Sequence, residues 1–98
     1  MITLSIGHNV HGTPTHTHSD VLRVLACYMA AHGIQGYTAY ETSGCYLGEV
    51  ETSTKIELFD LVEDLPGLLV ELCDALDQDA IYANEYTAAA FYEGRRTA

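Results

Sequence analysis

GYTAYETSGCYLGEVETSTKIELFDL, Gly36 to Leu61, is the stretch on which the fold turns. Thr and Tyr dominate its first part, and Ile56, Leu58 and Phe59 carry its last part, so two strands are expected, Tyr37–Thr42 and Thr52–Leu61. A connection rich in Gly and Ser joins them. Ser43-Gly44 and Leu47-Gly48 are both candidate turns, which leaves the register of this hairpin open.

Working outward, a helix is expected on each side of the hairpin. On the N-terminal side, Ser19 to His32 carries Val21, Leu22, Val24, Leu25, Ala26, Met29 and Ala30, with Thr17 or Ser19 as N-cap and Gly33 as the stop. This helix is apolar on most sides, so it should be covered on most sides, in part by another subunit. On the C-terminal side, EDLPGLLVELCDALDQD places Leu65, Leu68, Leu69, Leu72 and Leu76 on one stripe, with Asp64 as N-cap and Pro66 in the first turn. Beyond the helices lie ITLSI, residues 2–6, which alternates apolar and polar as a half-buried strand does, and a closing strand from Ala80 to Tyr86. The tail AAAFYEGRRTA extends or covers an edge. The order β-α-β-β-α-β predicts a single α+β domain over residues 1–98. It is a ferredoxin-like plait, a four-stranded antiparallel sheet with two helices on one face.

Fourteen Asp and Glu against four Lys and Arg give a net charge of −10. Such a field repels phosphate backbones and anionic lipid surfaces, so neither nucleic acid nor a membrane is an expected partner. A cation or a basic partner protein suits it. Three cysteines, Cys27, Cys45 and Cys73, form no CxxC pair. The odd count and the start MITLSIG, which lacks the features of a signal peptide, fit a cytoplasmic protein. Cys27 and Cys73 are expected as small buried thiols in the helices.

Two segments could carry chemistry. GHNVHGTPTHTHSD, residues 7–20, holds His8, His11, His16 and His18. Imidazoles at this density could ligate a divalent metal, Zn, Ni or Cu. The same loop could instead hold a small ligand through His8, Asn9, His11 and its glycine backbone, or serve as a polar connection. The second segment is the hairpin itself, where Glu41, Glu49 and Glu51 accompany Cys45, Tyr46 and Ser53. Glu49, Glu51 and Ser53 are the candidate ligand contacts there, with Glu51 and Ser53 bordering the ordered strand. No phosphate-binding loop, dinucleotide fingerprint or nucleophile elbow is present.

With this order in hand, the layout resembles the PII/CutA-like group of small ferredoxin-like proteins over nearly the whole chain. The hairpin and LCDALDQDAIYANEY, Leu72 to Tyr86, carry the likeness. That resemblance implies a trimer binding a small ligand or ion between subunits, and transfers no site residue. Gly48, Glu51 and Ser53, together with the size and acidity of the chain, also resemble short accessory proteins of bacteriophage or bacterial origin. The leading reading is therefore a cytoplasmic homo-oligomer, with a trimer favoured. It binds a small molecule or metal near a subunit interface without turning it over. The alternatives are an acidic phage-type inhibitor of a basic partner, and a small isomerase or lyase using Glu51 or a His as general base.

Overall fold

The computed structural model describes residues 1–59, 62–85 and 90–95. Its elements are β1 (Ile2–Gly7), β2 (Asn9–Val10), β3 (Thr13–Pro14), α1 (His18–Ala31), β4 (Tyr37–Tyr46), β5 (Glu49–Leu58), α2 (Leu65–Leu76), β6 (Ala80–Glu85) and β7 (Ala90–Arg95). β1 runs down the middle of an antiparallel sheet of order β4-β5-β1-β6-β7. Without β7 this is the ferredoxin-like arrangement expected from the sequence. The tail adds a fifth strand where four were expected, pairing with β6 from Ala80↔Arg95 to Glu85↔Ala90. It covers the edge that β6 would otherwise expose.

Strand alternation sets the two faces. Ile2, Leu4 and Ile6 of β1, Ile56 and Leu58 of β5, and Ile81 and Ala83 of β6 are buried on one side. They form a single core with Val21, Leu25 and Met29 of α1 and with Leu65, Leu68, Leu69, Leu72, Cys73 and Leu76 of α2. Both helices therefore lie on the same face, and among the described residues no helix covers the other. Asp64 caps α2, its carboxylate accepting from Gly67 N–H at 3.1 Å. Thr17 caps α1 in a reciprocal box with Asp20.

Three features differ from the sequence reading. The hairpin turns at Leu47-Gly48, both left-handed with φ of 51° and 82°, so β4 and β5 run ten residues each. Paired ladders of that length satisfy the backbone through the Ser43-Gly44 position, which removes the reason to turn there. The His loop is a two-stranded ribbon, β2 with β3, turning at His11-Gly12. Cys27 is exposed, because α1 buries only its Val21–Leu25–Met29 stripe, while Cys73 is buried as expected. The expected strand ends at Leu61 and Tyr86 lie outside the described residues.

Candidate functional site

The open sheet face carries a cleft where β1 ends and the β4–β5 hairpin continues alone. Antiparallel partners share a face, so register fixes its rows. Ser5 lies beside Lys55 and Tyr40, Gly7 beside Ser53 and Thr42, and Glu51 beside Gly44. The small residues of these rows leave a depression of 290 Å³ lined by Ser5, Gly7, Gly44, Cys45, Glu51, Thr52 and Ser53. A Cβ at Gly44 would meet no heavy atom within 4 Å, so the space beside it is open. Thr42 and Ser53 share a hydroxyl hydrogen bond of 2.6 Å at the margin. Ser5 and Ser53 offer hydroxyls and Glu51 a carboxylate, and no described lining residue is basic, with Lys55, the neighbour of Ser5, outside the lining. Such a site favours a polar cation.

On the helix side of the same strands, His8 is 3% exposed and bonded through every polar atom. Its N–H donates to the Thr52 carbonyl at 3.1 Å, and its carbonyl accepts from Thr15 and His16 N–H. Nδ1 is hydrogen-bonded to Thr52 Oγ1 at 2.7 Å and Nε2 to Thr54 Oγ1 at 2.8 Å. His18 Nδ1 reaches the same Thr54 hydroxyl at 2.8 Å. One hydroxyl has one proton, so at least one of the two rings donates to it. Burial pushes the His8 pKa below its ordinary value. The Glu41 carboxylate, 3.9 Å from Nδ1, opposes that shift, and His18 and His16 add to it.

The expected site residues thus divide. Glu51 and Ser53 meet in the cleft, whereas Glu49 sits exposed beside the turn and does not line it. His8 and His18 meet at Thr54 on the opposite side of the sheet. His16 Nε2–H donates to the Leu76 carbonyl at 2.7 Å, fastening the loop to α2. His11 is exposed at the ribbon turn, 3.7 Å from Asp79. The Asn9 carbonyl accepts from Gln78 Nε2 at 3.1 Å. Among the described residues, no three His, Cys, Asp or Glu side chains converge as a metal cage. The sequence reading missed Thr52, Thr54 and Thr42. The run ETST carried the signal, since Glu51 and Ser53 on one face put Thr52 and Thr54 on the other.

A larger groove of 670 Å³ lies between α1 and α2, lined by Val24, Cys27, Tyr28, Ala75 and Leu76 with His16, Asp20 and Arg23. Its polar groups already serve the fold. Asp20 caps α1 and pairs with Arg23, and His16 holds Leu76. The open-face cleft is the better candidate.

Comparison with solved structures finds two likenesses. A phage SAM lyase in its apo state matches with a TM-score of 0.74 and 20% identity, covering 99% of this chain and 89% of that one. A phage SAM lyase in complex with S-methyl-5′-thioadenosine matches with a TM-score of 0.72 and 21% identity, covering 96% of this chain and 87% of that one. What is shared is the fold. Both matched structures are phage proteins, and neither is a PII or CutA protein. No family model matches the sequence, and no curated protein does.

Proposed function

We propose that this chain binds SAM, S-adenosylmethionine, in the open-face cleft and cleaves it to S-methyl-5′-thioadenosine. The observation that carries this reading is the cleft itself. One carboxylate, Glu51, stands among hydroxyls without a basic lining group, on a fold matched over 99% of the chain by a phage SAM lyase. SAM is a sulfonium, and its fixed positive charge is what such a lining attracts.

The chemistry balances without a protein base. Breaking the bond from sulfur to the methionine-side carbon gives the electron pair to sulfur and releases the thioether. The substrate's own carboxylate can form the new bond to that carbon, closing a five-membered lactone in which no proton moves. Glu51 then acts as the charge partner of the sulfonium. That charge disappears as the bond breaks, so Glu51 aids binding more than the chemical step. Glu51→Gln should raise KM by about tenfold or more with a smaller change in kcat. Conversion of SAM followed by liquid chromatography and mass spectrometry tests this. A wild-type protein that neither binds SAM nor releases methylthioadenosine refutes the reading. A collapse of kcat in Glu51→Gln, with an alkene as the second product, would make Glu51 a general base instead.

The cleft is completed by a second copy, with a trimer the expected assembly. A volume of 290 Å³ is at the lower limit for enclosing a ligand of this size, where about 300–1,000 Å³ is usual. At the tip of the same hairpin, Leu47 is 86% exposed and Val50 72% exposed. Leu47 also holds a left-handed backbone that Asn or Gly would adopt more readily. An apolar side chain kept there against backbone preference is explained by a contact it makes.

A further inference from the structure

We infer that His8 is a positioning residue of the cleft, holding Thr52 and Thr54 from the helix side of β5 so that Glu51 and Ser53 stand correctly on the open side. The inference rests on the SAM reading for its functional consequence, but its structural part stands alone.

The pairing of β1 with β5 ends at Gly7↔Ser53, while β5 continues to Glu49 with β4 as its partner. The segment that presents Glu51 is therefore an arm with one neighbour, and its angle to the sheet needs a separate anchor. His8 provides it. The backbone bond from His8 to Thr52 extends the ladder by one residue, and the ring grips the hydroxyls of Thr52 and Thr54. Those two residues alternate with Glu51 and Ser53, so fixing one pair fixes the direction of the other. At 3% exposure His8 does not itself line the cleft, and it acts through the strand. His18 reinforces Thr54. A buried, fully bonded imidazole explains the histidine in GHN without a ligand on it.

Three variants, read by steady-state kinetics with SAM and by hydrogen exchange of the intact chain, test this. His8→Phe fills the space and removes both side-chain bonds. His8→Asn keeps a polar atom near Nδ1 for Thr52, and His8→Gln keeps one near Nε2 for Thr54. In His8→Phe, exchange in residues 43–53 should accelerate about tenfold while β1 and β6 stay protected. KM should rise about tenfold with kcat less affected, because Glu51 is displaced from a charge present in the ground state. His8→Asn should restore most of both. Faster exchange spread evenly over the sheet, or a fall in kcat with unchanged KM, would mean that His8 only stabilises the fold, and would overturn the inference. If His8→Phe does not fold, the comparison of His8→Asn with His8→Gln decides, and equal KM and equal exchange in these two would overturn it. If wild-type protein has no activity toward SAM, the function fails. The exchange pattern still decides the anchor.

Discussion

His8 carries a titration as well as a contact. Its pKa in the folded chain lies below the 6.5 of an ordinary histidine, because burial disfavours the imidazolium more than Glu41 favours it. Between the lowered folded value and 6.5 the unfolded chain binds more protons, so stability is complete above pH 6.5 and falls as pH drops through that window. Urea midpoints at several pH values between 8 and 4 should decline on acidification, and His8→Asn should flatten part of the decline. An identical slope in the variant would mean that other groups dominate. Glu51 is the contrasting residue. It lines the cleft from an exposed position, and under the proposed reading it acts through its charge.

At the scale of elements, β7 depends on one atom that is missing. A Cβ on Gly94 would come within 2.2 Å of Leu69 Cβ and 3.1 Å of the Leu69 backbone carbon. The strand lies that close to α2, with the Cys73 thiol 3.5 Å from the Gly94 carbonyl. Helix backbone cannot yield as a flexible side chain can. Gly94→Ala should therefore destabilise the chain by about 1–3 kcal/mol, measured by denaturant unfolding. A variant as stable as wild type would mean that β7 can shift outward at no cost. The hairpin shows the opposite use of glycine, where Gly44 leaves open space. The alternation of β5 was legible in the sequence, but not its length. Ser43-Gly44 and Leu47-Gly48 look alike as turn signals, and it is ladder pairing that separates them.

For the whole molecule, the exposed apolar groups bear on assembly. Leu47, Val50 and Phe59 are exposed on a chain whose net charge of −10 opposes non-specific association. Native mass spectrometry should report a trimer. Leu47→Asn should ease the left-handed turn in each monomer while shifting the population toward monomer. A wild-type monomer would sink the reading in which a second copy completes the cleft and favour a monomeric binding protein. The sequence reading placed binding ahead of turnover. The proposal now places lyase chemistry first, supported by a single carboxylate in the cleft and by the matched fold.

The sequence by itself determined the plait, because periods of two and of 3.6 residues, caps and turn residues are local properties that neighbouring positions state together. It also singled out Glu51 and Ser53, because they border the strand that the apolar residues of 52–61 announce. It could not divide the histidines. His8, His11, His16 and His18 are close in the chain, yet the ribbon turn at His11-Gly12 and the start of α1 send them to a threonine pair, an exposed turn, an α2 carbonyl and a shared hydroxyl. Their partners lie 36 to 68 residues away, from His18 to Thr54 at one extreme and from His11 to Asp79 at the other. Contacts over such separations exist only once the chain has packed, and so tertiary structure alone decided which histidine is buried against Thr52 and Thr54.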